Sequence, residues 1–392
     1  MTPAARVQAA IQILDQWQGG ETGLDRVLAA WARGHRFAGG GDRRAIADLC
    51  YDTLRRMRSA AWLSQCSHAR GLVRGNLLLN GQDPGALFTG EGYGPAALTA
   101  SEMLPARDLA EAPRAVRLDY QDWLDTDMSA VSNEALAALR ERASVDLRVN
   151  TIRGTVVEAE DALRADGILV EPVPRATLAL RVTEGARRVS ASRAYRDGLV
   201  EIQDAASQMV AAFADAKPGM TVLDLCAGGG GKSLAFGALM QTRGRVIAHD
   251  ISPARMKDLP ARAKRAGVRV DMISTQDLGD LKGCCDLVVV DAPCSGSGAW
   301  RRNPDHKWRL TPGGLMELEA TQVRLMDQAA GFCAPDGQVV YMTCSILSRE
   351  NEAQVDAFLA RSPNWQATGE LALSPADGID GFFAARLGRL GP

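Results

Sequence analysis

Lysine is scarce in this chain: six residues, at 217, 232, 257, 264, 282 and 307, against thirty-nine arginines among 392 residues. Where arginine carries nearly all positive charge, a lysine beside a ligand loop hints that a compact ammonium is wanted there. Histidine is scarcer still. His35, His68, His249 and His306 do not combine with the cysteines at zinc-ligand spacing, so no metal is expected. No run of about 18 uncharged apolar residues occurs, which argues against a helical membrane span. The N-terminus has no apolar signal core and reaches Arg6 early, so a cytoplasmic rather than secreted protein is expected. The eight cysteines include no CxxC pair and no disulfide-rich spacing, which fits free thiols in a reducing compartment. There is no GxSxG signature, internal repeat or low-complexity segment.

What is present is enough apolar sequence, 46%, for packed cores in two or three domains. Net charge is −2, but residues 1–75 hold eleven Arg against six Asp or Glu. Apolar residues such as Ala9, Ile11, Leu14, Val27, Ile46 and Leu54 recur at helical spacing, so 4–66 reads as helices. Loops are expected at 83–95 and a further helix at 132–143. We place an all-helical domain over 1–145, a small α/β connector over 146–210, and an α/β domain over 211–392. In the last, TVLDLC, RVIAHD, VRVDMIS, DLVVVDAP and GQVVYMTC read as five strands. Ser252-Pro253 reads as a helix cap and 312–333 as a long helix. Strands alternating with helices predict a Rossmann-like, doubly wound parallel sheet.

The loop between the first of these strands and its helix is Asp224-Leu-Cys-Ala-Gly-Gly-Gly-Gly-Lys-Ser233. Three cofactors compete for it. A P-loop needs glycine where Cys226 stands. A dinucleotide loop fits Gly228 and Gly230 but needs glycine at Ser233. An S-adenosylmethionine (SAM) loop needs an acid ending the strand, a glycine turn, and a second acid ending the next strand. Asp224, Gly228, Gly229, Gly230, Gly231 and Asp250 supply these, and SAM is the expected cofactor. Four successive glycines are costly unless a close approach requires them.

Two thiols fall at strand ends. Asp291-Ala-Pro-Cys294-Ser-Gly-Ser-Gly298 follows the fourth strand, and Thr343-Cys344-Ser345 ends the fifth. Ligands of doubly wound sheets bind beyond the carboxyl ends of the strands. A lone cysteine there is ordinarily a small core residue, but two beside turn residues and an acid point to catalysis. Carbon 5 of cytosine is a poor nucleophile; adding a thiolate to carbon 6 makes carbon 5 enamine-like and able to accept a methyl group. A carboxylate such as Asp291 can accept from the exocyclic amine. The target base must be unpaired or flipped out.

On these residues the sequence resembles the Sun family (Fmu or RsmB-type) of SAM-dependent RNA cytosine-5 methyltransferases. The resemblance is dense from 198 to 386: GLVEIQDAASQ, DLCAGGGGKS, DAPCSGSGAWRRNPDHKW, YMTCSILSRENE and DGIDGFF. It implies Cys344 as nucleophile and Cys294 as the residue assisting product release. It implies SAM contacts from Cys226, Ala227, Gly228, Gly229, Gly230, Gly231, Lys232, Asp250, Asp277 and Asp291, with Asp291 and Lys232 also facing the target base. Gly229 departs from the family's commonest loop, which has proline there; a more flexible loop with somewhat weaker SAM affinity is the expectation. ARVQAAIQIL and FAGGGDRRAIADLCYDTLRR resemble the family's NusB-like helical domain, which implies RNA binding. Arg33, Arg36, Arg43, Arg44, Arg55 and Arg56 are candidate phosphate contacts, unless some of them form ion pairs with residues such as Asp42. The substrate expected is small-subunit ribosomal RNA, acted on by a monomer. Transfer RNA as substrate, or a non-catalytic SAM- and RNA-binding assembly factor, are the alternatives.

Overall fold

A computed structural model describes residues 1–390. The chain divides into two units, Met1–Arg142 with Trp300–Leu310, and Ala143–Ala299 with Thr311 onward. The connector expected at 146–210 therefore shares a unit with the α/β region, and 300–310 joins the helical one.

The helical unit is built on helices Pro3–Gln18, Leu24–Gly34, Gly40–Arg55, Met57–Ser64 and Ala69–Leu79. Their inward faces bury Ile13, Leu14, Leu24, Ile46, Leu54 and Val73, as the helical spacing requires. Gly75 allows backbone contact between two of these helices: a Cβ there would sit 1.9 Å from the Ala60 carbonyl oxygen. The helix expected at 132–143 is shorter, Asn133–Ala138, capped by the Ser132 hydroxyl.

Segment 300–310 completes this unit by capping two of its helices. The Asp305 carboxylate accepts from the Leu24 N–H (3.3 Å) and from Trp17 Nε1 (2.5 Å). It thus satisfies a free donor at the start of helix Leu24–Gly34. Lys307 Nζ donates to the Arg55 carbonyl (3.0 Å) and Trp308 Nε1 to that of Leu54 (2.7 Å). Those carbonyls end helix Gly40–Arg55 and lack partners within it. The sequence places 300–310 in the α/β region only because periodicity carries no information about non-local caps.

The second unit contains two sheets. Strands β1 (Asp146–Val149), β2 (Leu169–Val173), β3 (Ala176–Glu184) and β4 (Val200–Ile202) form an antiparallel sheet in the order β2-β3-β1-β4. Helix Val156–Ala165 accompanies it, with a Thr155/Glu158 capping box. The larger sheet uses β5 (Thr221–Asp224), β6 (Arg245–Ala248), β7 (Asp271–Met272), β8 (Cys285–Asp291), β9 (Cys333–Thr343), β10 (Trp365–Leu373) and β11 (Phe382–Arg389). Its order is β10-β11-β9-β8-β5-β6-β7. The five expected strands, β5 to β9, are parallel. The sheet is mixed, however, because β11 joins β9 antiparallel and β10 joins β11 antiparallel.

Two local expectations need correction. VRVDMIS pairs over only two residues, β7. Ser252 makes no side-chain cap; Pro253–Met256 is a single 3-10 turn, and the helix proper is Leu259–Ala266. Asp250 replaces Ser252 as the local acceptor, taking the Ser252 N–H at 2.9 Å.

Candidate active site

The order in which strands are added reverses at β5, whose parallel neighbours in the sheet are β6 and β8. At such a switch point the loops leaving the carboxyl ends diverge and open a crevice. The loop after β5 carries residues 225–230 into helix Gly231–Leu239. Gly228 and Gly230 hold φ of +53° and +76°, which side chains resist. A Cβ on Gly230 would meet Leu259 Cδ1 at 2.2 Å. Gly229 has only Arg262 Nη1 near its would-be Cβ, at 3.1 Å. Arg262 donates to the Gly229 carbonyl and Arg148 to the Gly231 carbonyl (2.9 Å). The loop lacking the family's proline is thus fastened by two guanidiniums that composition and spacing did not single out.

Acceptors surround the loop. Buried Asp224 takes the Ser233 hydroxyl on Oδ2 (2.6 Å), while its Oδ1 has no hydrogen-bond partner. Burial pushes its carboxyl up to about 7, against the bond from Ser233. Asp250, after β6, accepts the Gly228 N–H on Oδ2 (2.9 Å) and faces Arg255 (3.2 Å). Asp277 is exposed and caps its own 3-10 turn through Ser274, whose hydroxyl (2.7 Å) and N–H hold its carboxyl below the usual range. Buried His249 ties its turn to the strand end, reaching the Leu225 carbonyl (2.8 Å) and Thr275 Oγ1 (3.0 Å). Cys226 is half-buried, and burial pushes its thiol well up.

SAM presents an α-ammonium, ribose hydroxyls and a sulfonium, that is, donors and a positive centre. The site offers an orphaned buried carboxylate oxygen, a second carboxylate at the next strand end, and a glycine turn with two left-handed positions between them. These residues fit the group. Gly230→Ala is expected to weaken SAM binding about tenfold or more, since the left-handed backbone alone disfavours a side chain by roughly 1–2 kcal/mol. Gly229→Ala should leave it nearly unchanged. Isothermal titration of SAM into both variants checks the contrast.

At the end of β8, Asp291 Oδ2 accepts from Lys232 Nζ at 2.7 Å. The Lys232 ammonium also lies 5.1 Å from the centre of the Phe382 ring. Burial alone would depress this lysine, but the charge and hydrogen bond of Asp291 outweigh it and raise its pKa. Cys344, after β9, is near enough for its charge to act on Lys232 as well. Cys294 Sγ and Cys344 Sγ are 3.4 Å apart, both half-buried. The hydrogen bond to Cys344 and then burial push the Cys294 thiol well above its ordinary value.

All four residues expected to act on the base therefore come together: Lys232 with Asp291, and Cys294 with Cys344. What sequence reasoning missed is Glu350, fully buried beneath the two thiol loops. It lies in the SRENE run that follows the TCS motif, and that proximity was its only signal.

Among the candidate RNA contacts, Arg33, Arg36, Arg43 and Arg44 are exposed. Arg43 donates to the Ala38 carbonyl (2.8 Å) and Arg56 to Asn80 (3.0 Å). Arg55 is instead buried, bonded to the Arg301 carbonyl (2.7 Å) and to Asp52 (2.6 Å), so its role is structural. Asp42 pairs with Arg6 and the N-terminal ammonium, and so not with the candidate arginines. No helix among the described residues is long and apolar enough to cross a membrane. No cluster of metal-ligating side chains occurs among them.

The sheet order, the glycine loop and the acids at successive strand ends define a Rossmann-like SAM-dependent methyltransferase fold, preceded by a NusB-like helical region. Residues 211–387 match the family described as 16S rRNA methyltransferase RsmB/F, and this region belongs to that Sun-type family of SAM-dependent methyltransferases. It is similar to the probable ribosomal RNA small subunit methyltransferase B of Synechocystis sp., 30% identical over 295 residues, covering 68% of this chain and 66% of that one. The Bacillus subtilis protein of the same name is 31% identical over 268 residues, 62% of this chain and 60% of its own. The match thus spans somewhat under two thirds of these relatives' length. Among solved structures, PH0851 shares the fold over 99% of both chains (TM-score 0.77, 22% identity). A methyltransferase homologue from Pyrococcus horikoshii does so over 71% of this chain and 98% of its own (TM-score 0.63, 24% identity).

Proposed function

We infer that this protein methylates carbon 5 of a cytosine in small-subunit ribosomal RNA through a covalent cysteine adduct. The observation that carries this reading is the pair of thiols 3.4 Å apart at the ends of neighbouring strands, beside the Lys232–Asp291 ion pair. The names of the relatives support ribosomal RNA as substrate.

SAM, held by the 226–232 loop, Asp250, Asp277 and Asp291, supplies the methyl group when bound. The chain's own residues do the rest. Asp291 accepts from the cytosine exocyclic amine and orients the ring. The Lys232 ammonium lies close enough to Cys344 for the two charges to interact. Cys344 Sγ forms a bond to carbon 6, and the displaced electron pair makes carbon 5 nucleophilic. After methylation a base removes the carbon-5 proton. The electrons of that C–H bond restore the ring double bond and expel Cys344 as thiolate. Cys294, pushed up and thus the protonated partner, donates its S–H to the departing sulfur.

The test is methyl transfer from labelled SAM to unmodified small-subunit ribosomal RNA and, separately, to transfer RNA, followed by nucleoside digestion. Labelled 5-methylcytidine from ribosomal RNA is expected. Label in transfer RNA alone would change the substrate, and label in neither would favour a SAM- and RNA-binding assembly factor.

A further inference from the structure

We propose that Glu350 is the positioning residue of the two-thiol site, fastening the loop that carries Cys294 to the loop that carries Cys344 so that the sulfurs meet. The proposal rests on the reading of those thiols as the reacting pair.

Glu350 lies in a 3-10 turn just after the second loop and is fully buried. Its carboxylate takes donors from both loops, in each case from the residue that follows the thiol. Ser295, next to Cys294, gives its backbone N–H to Oε1 (2.8 Å) and its hydroxyl to Oε2 (2.5 Å). Ser345, next to Cys344, gives its hydroxyl to Oε2 (2.6 Å). Gln322, from helix Pro312–Phe332, adds its amide to Oε1 (3.1 Å) and also holds the Pro293 carbonyl (3.0 Å). Tyr341 on β9 anchors the Glu350 backbone carbonyl (2.6 Å).

A buried carboxylate is expensive unless every acceptor direction is used, and four donors converge on this one. A purely structural bridge between two loops could be apolar at less cost. The carboxylate offers something an apolar bridge cannot. Two oxygens on one rigid carbon set the spacing of the two loops, and each bond lies one residue from a sulfur. Its negative charge also disfavours a second anion at Cys294. Near-attack geometry is sensitive at this scale, since a displacement of about 1 Å can lower a rate about 100-fold.

The test uses the full chain with Glu350→Ala and Glu350→Gln. Phenylarsine oxide bonds two adjacent thiols through one arsenic, with loss of one water, and requires neither RNA nor methyl transfer. Peptide mass mapping separates the Cys294–Cys344 bridge from adducts at other cysteines. In the wild type that bridge is expected to form rapidly. In Glu350→Ala its formation should slow at least about tenfold, and kcat for methyl transfer should fall about 100-fold with SAM affinity unchanged. Glu350→Gln keeps the shape but removes the charge, so bridging should survive while alkylation of Cys294 by iodoacetamide moves to lower pH. Bridging in Glu350→Ala at the wild-type rate would overturn the proposal. If Glu350→Ala does not fold, the Ser295→Ala, Ser345→Ala double variant removes both hydroxyl bonds to Oε2 while keeping the Ser295 N–H bond; slower bridging is then expected, and bridging at the wild-type rate would overturn the proposal. Loss of bridging in a protein whose wild type transfers no methyl group would leave the positioning role standing and remove the functional reading instead.

Discussion

Cys294→Ala is expected to leave the chain covalently attached to its RNA, as a slow band on a denaturing gel, and Cys344→Ala is expected to abolish both adduct and product. The two outcomes differ because the thiols do different work. Without Cys344 no bond to carbon 6 forms, and carbon 5 stays unreactive; a turnover loss of about 10⁴-fold or more is the scale at which covalent nucleophiles act. Without Cys294 the first bond still forms, but the sulfur 3.4 Å from the attacking thiol, which would protonate it as it leaves, is gone. The double variant should give no adduct. An adduct in Cys344→Ala that needs Cys294 would mean the roles are exchanged.

The prediction leans on a site that was legible from sequence to an unusual degree. Asp224, Asp250, Asp291 and Cys344 each sit at or just past a strand end, and period and turn residues locate strand ends well. The Lys232–Asp291 contact was foreshadowed by a lysine in an arginine-rich chain. What lay beyond reach was everything set by tertiary approach. Strand β3 was missed because TLALRV follows β2 with only a tight turn between them. Strand β10 has few buried positions and β11 nearly all buried, so neither shows the clean alternation of a half-buried strand. Glu350 reads as one more surface acid in SRENE until folding brings Ser295 and Ser345 onto it. Arg55 looks like its exposed neighbours until a segment 246 residues away in sequence closes over it.

That segment leads to the second large effect. Four of the six lysines are exposed, and Lys307, with Lys232, is buried. Burial pushes the Lys307 ammonium down to about 7 from 10.5, with Asp119 opposing and Arg140 and Arg55 assisting the shift. In the unfolded chain it titrates near its ordinary value. Between about pH 7 and 10.5 the unfolded state therefore binds the proton that the folded state refuses, and stability rises with pH across that window. The contribution is complete above the unfolded value, declines as pH falls towards 7, and changes little below. A shift of this size amounts to a few kcal/mol. Lys307→Met keeps the apolar stem and removes the titration. It should be more stable than the wild type at pH 7, by an amount that shrinks steadily towards pH 10. The difference between the two proteins matters, because every other titrating group cancels in it. Tryptophan fluorescence is suited to the measurement, since Trp17, Trp31, Trp62, Trp123, Trp300 and Trp308 all belong to the helical unit and only Trp365 to the other. The offset between the curves also contains the lost hydrogen bond to the Arg55 carbonyl, which caps helix Gly40–Arg55, so the slope is the decisive quantity. A difference independent of pH would mean that Lys307 stays charged in the folded protein and that the helix end, rich in free carbonyls, holds it as a cation.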